Sequence, residues 1–194
     1  NPDRMVIIDE AYVDYCGESC LPLAIKYPNL VVVRTFSKSR NMAGAHVGFA
    51  VASKEIIEDM NKIKFSFNPF NLNSVTMAAG IAAVKDTDYL KKCVIRVINT
   101  RERFTKELEN IGFEVIPSKA NFVFCKHEDI KSQVLCDRLK EEGILTRHFA
   151  DERLTDYLRI TIGTDEEMMV VLITIKEILD DIHKTLVTAQ EVAI

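Results

Sequence analysis

Short apolar runs alternate with longer segments of helical period along this chain, and the switch between the two patterns marks its elements. "MVIIDEAY" and "LVVVRTF" are compact runs rich in isoleucine and valine. Continuous runs of this length suit strands buried on both faces of a parallel sheet. The segment between them, "CLPLAIKYPN", is apolar enough to cover the sheet as a short crossover, and a third run, "HVGFAVAS", follows. Strand, crossover, strand is the grammar of an α/β fold.

After Ser53 the period becomes helical. In "SKEIIEDMNKIKFSF", Ile56, Ile57, Met60 and Ile63 share one face behind an N-cap serine, and Pro69 breaks the helix. "SVTMAAGIAAVKD" reads as a second helix, rich in alanine. A long helix over about 87–111 repeats Leu90, Val94, Val97, Ile98, Phe104, Leu108 and Ile111 at helical spacing and stops at Gly112. The texture then changes. "FEVIPS", "NFVFCKH", "ILTRHF" and "YLRITIG" read as strands, and "DIKSQVLCDRLKEEG" as an amphipathic helix ended by Gly143. In the last helix Thr164 and Glu167 form a capping box, ahead of a stripe of Met168, Val171, Leu172, Ile175, Leu179 and Ile182. The expected organisation is residues 1–86 as part of a large α/β domain, 87–112 as a connecting helix, and 113–194 as a small α+β domain with helices on one face of its strands.

Composition narrows the function classes. The 194 residues are 47% hydrophobic and 28% charged, with a net charge of −4 and mixed signs, the balance of a soluble globular protein. No basic face points to nucleic acid, and no apolar stretch is long enough to span a bilayer. The start, "NPDRMVIIDE", lacks the basic and hydrophobic regions of a signal peptide, so a cytoplasmic location is expected. Cys16, Cys20, Cys93, Cys125 and Cys136 are odd in number and scattered, which argues for free thiols and against a disulfide framework. Cys16 and Cys20 have no second pair at zinc-like spacing, so no metal site is expected. A core strand almost at the first residue suggests a piece of something longer.

Candidate chemistry sits where the strands end. Asp9 closes the first run, Ser37 and Lys38 close the second, and Tyr12 follows Asp9 closely. Ligands of open α/β sheets bind outside the carboxyl ends of the strands. Asp, Tyr, Ser and Lys together suit pyridoxal phosphate. The lysine amine attacks the cofactor aldehyde and later shuttles a proton. The aspartate keeps the pyridine nitrogen protonated. The tyrosine holds the ring oxygen and the serine the phosphate. Taken singly, the aspartate is a turn former and the lysine a solvated side chain; their convergence on adjacent strand ends favours chemistry.

"VIIDEAYVDY", "PNLVVVRTFSK" and "LRITIG" resemble three signature segments of histidinol-phosphate aminotransferases, within the fold-type-I aminotransferases of classes I and II, over about residues 3–183. The resemblance implies a partial pyridoxal-phosphate-transferase-like large domain, with a parallel-rich sheet, followed by the small α+β domain. It implies that Lys38 bonds the cofactor, Asp9 pairs with its ring nitrogen, Tyr12 contacts the ring oxygen, and Ser37, with Thr35 beside it, contacts the phosphate. Arg159 matches the arginine that grips a substrate carboxylate or phosphate, for which its planar fork is suited. Arg147 is a second candidate anion contact. Asn121 matches a polar position near the substrate, though a turn asparagine opening a strand reads equally well.

Two departures stand out. The family usually carries an arginine for the cofactor phosphate where this chain has His46, and histidine is only partly charged at neutral pH and has no fork. Arg40 is close enough in sequence to compensate. The family is also roughly twice this length, as two-domain enzymes commonly are, so the chain resembles a C-terminal half. An exposed sheet edge then leads to an expected homodimer or strand exchange. The expected activity is amino transfer between histidinol phosphate and 2-oxoglutarate, in histidine biosynthesis, with a small-molecule amino donor and a 2-oxo acid as partners. The alternatives are a threonine-phosphate decarboxylase, an aromatic aminotransferase, or an inactive remnant that serves as a folded or assembly module.

Overall fold

The two valine- and isoleucine-rich runs pair with each other, but the first is not buried on both faces as expected. Val6 is 42% and Ile7 66% exposed, because an edge strand has a neighbour on one side only. In the computed structural model, which describes residues 3–192, β1 (Val6–Asp9) lies parallel to β2 (Leu30–Thr35), with Ile8 opposite Val32 and Asp9 opposite Val33. The crossover is one helical turn, α1 (Leu21–Ala24), with a proline in its first turn where no intrahelical donor is needed. Its Ala24 packs with Leu30 and Val32, and Ile8, Leu21 and Val51 close around them. The third run forms β3 (Gly48–Val51), which pairs antiparallel with β2, so the sheet order is β1-β2-β3. Parallel return needs a long crossover. Here the Phe36 N–H donates to the Val47 carbonyl beyond the strand ends, so the lysine loop closes as a wide hairpin.

Helices α2 (Lys54–Phe67) and α3 (Ser74–Lys85) follow. Ser53 caps the first through the Ile56 N–H and Asn73 the second through the Thr76 N–H. The stripe expected on α2 is formed but not covered: Met60 is 42% and Ile63 69% exposed. A helical period marks a face, not what lies over it. The chain divides into two units between Ile95 and Arg96, inside α4 (Thr87–Asn110). Gly112 ends α4 with φ +93°, and a Cβ there would stand 2.8 Å from His127 Nε2, so both backbone and space require glycine.

The second unit is built on four antiparallel strands. These are β4 (Glu114–Ile116), β5 (Phe122–Lys126), β6 (Arg147–His148) and β7 (Leu158–Thr161), in the order β4-β5-β7-β6. Helices α5 (Ser132–Glu141) and α6 (Asp165–Val192) complete it. Strand alternation turns Val123, Cys125, Leu158 and Ile160 into one core with Phe104, Leu108, Leu135, Leu139 and the α6 stripe. The capping box forms: Thr164 N–H donates to Glu167, and Glu167 N–H to the Thr164 hydroxyl. Burial pushes the Cys125 thiol up to about 12, and all five cysteines are free. Among the described residues no helix is long and apolar enough to cross a membrane, and no group of side chains is arranged to hold a metal.

Candidate active site

In the first unit the residues singled out from sequence gather at the carboxyl edge of β1 and β2. Asp9 ends β1 and accepts the Ala11 N–H at 2.9 Å, which turns the chain away from the sheet. That turn leads into a single 3₁₀ turn, Val13–Tyr15, which Tyr12 precedes. β2 ends at Thr35, whose hydroxyl donates to Ser37 Oγ at 2.9 Å and accepts the Ser37 N–H at 3.0 Å. Lys38 follows, and its Nζ lies 5.9 Å from the centroid of the Tyr12 ring. Strand alternation with Asp9 opposite Val33 puts Asp9 and Thr35 on one face of the sheet. An amine, a phenol, a carboxylate and two hydroxyls thus meet at one edge.

His46 is exposed and left-handed, φ +52°, at the far end of the lysine loop. Histidine tolerates that conformation better than most residues. Arg40 is committed elsewhere: its guanidinium donates to the Ala83 carbonyl and lies 5.2 Å from the Phe36 ring centroid. The compensation considered for it from sequence therefore competes with its contacts to Ala83 of α3 and to the Phe36 ring.

On the opposite face, next to the Ile8–Val32 core, lies a buried polar network that periodicity did not reveal. Arg34 Nε donates to Glu10 Oε2 at 2.9 Å, and Arg34 Nη2 to Ser19 Oγ at 2.7 Å. Ser19 donates to Glu10 Oε2 at 2.8 Å, and the Cys20 N–H donates to Glu10 Oε1. On the other side of the guanidinium, Arg34 Nη1 is 3.8 Å from Asp14, and Asp14 accepts the Ser39 hydroxyl. The signal was present in the sequence: an arginine inside the apolar run "LVVVRT", and a second acid beside Asp9. Burial by itself would raise the Glu10 carboxyl; the Cys20 N–H, the Ser19 hydroxyl and Arg34 outweigh it and hold the group below the ordinary range.

A carboxyl lowered in the folded state binds fewer protons than its unfolded counterpart, so its contribution to stability rises with pH. That contribution is complete above the ordinary glutamate value of about 4.3 and is lost as pH falls through the lower folded value. The stability gap between the wild type and Glu10→Gln should therefore hold at higher pH and shrink as pH falls from about 4.3 towards about 3. Paired denaturant melts across that range check it, and a gap that stays constant rejects the role of the Glu10 charge.

In the second unit Arg159 and Arg147 are cross-strand partners on β7 and β6, and Phe124 is opposite Arg159 on β5. The Arg159 guanidinium lies between two rings, 5.2 Å from Phe122 and 5.8 Å from Phe149, while Arg147 lies 5.4 Å from Phe149. Arg159 Nε is buried without a hydrogen-bond partner. A buried donor left unsatisfied is unusual and calls for an acceptor. Sequence reasoning found the two arginines but not the aromatic rings that hold them. Asn121 immediately precedes β5, and its carbonyl accepts the Ile162 N–H.

The family model for aminotransferase class I and II matches residues 2–175. The chain is 50% identical over 168 residues to the histidinol-phosphate aminotransferase of Chromohalobacter salexigens, covering 87% of this chain and 48% of that protein. It is 44% identical over 180 residues to the histidinol-phosphate aminotransferase of Clostridium botulinum, covering 93% of this chain and 51% of that protein. The crystal structure of histidinol-phosphate aminotransferase from Sinorhizobium meliloti in complex with pyridoxal-5'-phosphate superposes with a TM-score of 0.84 at 28% identity. It covers 93% of this chain and 50% of that one. The chain spans about half the length of the curated relatives it matches.

Proposed function

Because the chain belongs to the aminotransferase class I and II family, we propose that it carries the lysine-bearing half of a pyridoxal-phosphate site for amino transfer between histidinol phosphate and 2-oxoglutarate, within histidine biosynthesis. The observation that carries this reading is Lys38 Nζ beside the Tyr12 ring, at the same sheet edge as Asp9 and the Thr35–Ser37 hydroxyl pair. The donor set fits the cofactor. Lys38 offers the nucleophilic amine, Asp9 a carboxylate for a protonated ring nitrogen, Tyr12 a phenol for the ring oxygen, and Thr35 and Ser37 hydroxyls for the phosphate. Pyridoxal phosphate, when bound, supplies an electron-withdrawing ring that stabilises the carbanion left when the amino donor loses a proton.

Within this reading Lys38 Nζ has two roles: it holds the cofactor, and it takes and returns the proton of the amino donor. The Asp9 carboxylate stabilises a cationic ring nitrogen, which is what makes the ring an electron sink. Arg159 would hold the anionic end of the substrate, with Arg147 beside it and Asn121 as a further polar contact. Its buried, unpartnered Nε and the neighbouring Phe122 and Phe149 rings support that role, because an oxyanion there would supply the missing acceptor in a charge-assisted hydrogen bond. The reading also includes the division into a large cofactor domain through residue 86, a connecting helix to 112 and a small domain beyond it. A homodimer in the cytoplasm completes it. Ile7 on the edge strand β1 is 66% exposed, and Phe67 and Phe70 are 91% and 90% exposed, apolar surface that supports a covering partner.

The test is to incubate the chain with pyridoxal phosphate, reduce with borohydride and map the modified peptide. Label on Lys38 is expected; label spread over surface lysines, or none, rejects the site. In a parallel sample left unreduced, glutamate should form from histidinol phosphate and 2-oxoglutarate. Release of carbon dioxide from threonine phosphate instead would favour the decarboxylase reading, since histidinol phosphate has no carboxylate to lose.

His46 gives a separate prediction. His46→Arg should tighten pyridoxal phosphate binding by about tenfold, the scale of a charge-assisted, forked contact to phosphate. Equilibrium dialysis measures it, and unchanged affinity in a variant with unchanged melting removes His46 from the phosphate site.

A further inference from the structure

We infer that Ser39 and Asp14, anchored through Arg34 to Glu10, are positioning residues that hold Lys38 against Tyr12. The inference rests on the cofactor reading above for its purpose, but its geometry stands in the protein alone.

Three segments lie at the carboxyl edge of the first sheet: the turn after Asp9 and the approach to α1, both in the β1–α1 connection, and the lysine loop. Each is tied to Arg34 or to one of its two carboxylates. Glu10, 7% exposed, holds the approach to α1 through the Cys20 N–H and the Ser19 hydroxyl. The Leu21 N–H donates to the same Ser19 oxygen at 3.0 Å, so the approach is fixed from both sides. Arg34 bridges Glu10 and Asp14 from within β2. Asp14 stands in the 3₁₀ turn that Tyr12 opens, and it accepts the hydroxyl of Ser39. Ser39 is 3% exposed and directly follows Lys38. The strap therefore closes between the two residues that matter: one end is two positions from Tyr12 and the other one position from Lys38.

A hydroxyl buried on a carboxylate that is itself fixed by a guanidinium has few alternative geometries, and such networks rigidify the groups they join. The lysine loop needs this restraint. It contains two residues in left-handed backbone, Asn41 at φ +56° and His46 at φ +52°, and Lys38 reaches a ring rather than a fixed acceptor. Without the strap, the amine would sample solvent-facing rotamers and its approach to Tyr12 would be lost.

The test compares the wild type with Ser39→Ala in the chain as it exists. A lysine-directed acylating reagent is applied without cofactor, and labelling is followed peptide by peptide. The variant should label Lys38 at least about fivefold faster, the scale of one hydrogen bond to a charged group, while Lys54 and Lys62 keep their rates. Pyridoxal phosphate capture at Lys38 should fall by a similar factor. These opposite directions separate positioning from simple destabilisation, which would speed labelling throughout. Asp14→Asn, which keeps the shape and removes the charge, is the second variant if Ser39→Ala does not fold. Unchanged Lys38 labelling in a folded variant overturns the inference whatever the cofactor does. Absence of cofactor capture in the wild type, with the labelling change intact, rejects the cofactor reading and leaves the strap standing.

Discussion

Replacing Lys38 with arginine is expected to abolish covalent retention of pyridoxal phosphate after borohydride reduction, the largest functional effect of any single change in this chain. Arginine keeps the positive charge and can still lie over the Tyr12 ring, so the local electrostatics change little. The guanidinium stays protonated and delocalised at any accessible pH, and cannot serve as the nucleophile. The comparison therefore isolates the amine. Other lysines of the first unit, such as Lys54 and Lys62, are largely solvated, at 83% and 75% side-chain exposure, and have none of the Asp9, Tyr12 and Ser37 groups around them. Peptide mapping of the reduced adduct is the measurement. Undiminished labelling in Lys38→Arg would mean that capture takes place at another lysine and that the sheet-edge constellation is not a cofactor site.

Leu158→Ala should produce the largest loss of stability in the second unit, about 2–5 kcal/mol. Leu158 is fully buried on the interior strand β7, packed with Val123, Ile160 and the α6 stripe, and its carbonyl accepts the Cys125 thiol. Truncation leaves a cavity in a core whose facing layers come from α4, α5 and α6 together, which restricts collapse. Because the chain has two compact units, a single unfolding transition cannot be assumed. Amide exchange of β5 and β7 is the suitable readout. Their protection should fall by the equivalent of the lost stability, with the first unit's β1–β2 amides as the internal reference. Protection that falls by less than about 1 kcal/mol would show that the core repacks around alanine.

Neighbouring positions on a strand face opposite sides of the sheet. Leu158 points into the core and Arg159, the next residue, points to the aromatic face with Phe122 and Phe149. The same alternation separates Asp9 from Glu10 at the end of β1: one faces the Thr35 side, the other enters the buried ion network. In both places a core or network residue fixes a strand whose adjacent side chain faces the other way.

Much of the fold was legible because its signals are local. Ser53 and the Thr164–Glu167 pair cap the helices they were expected to cap, and Gly112 terminates α4 in left-handed backbone. Lys38, Asp9 and Tyr12 could be brought together on paper because strand ends of an α/β sheet share an edge. Other features could not be read this way. The direction of β3 depends on how the lysine loop closes, through Phe36 and Val47. The exposure of Met60 and Ile63 depends on what covers α2, which its period does not encode. The commitment of Arg40 to α3 depends on a contact 43 positions away.

The kind and order of the elements, their caps, and a lysine, an acid and a tyrosine at adjacent strand ends are set by the chain's local chemistry. Period, capping chemistry and motif spacing act over a few residues and are written in the chain. The pairing of buried polar groups is set by the packed fold instead. Arg34 meets Glu10 across 24 positions, and Ser39 meets Asp14 across 25. A buried charge must find its partner wherever the packed chain brings one. Which partner that is follows from the register of β1 on β2 and the path of two loops, not from any local pattern.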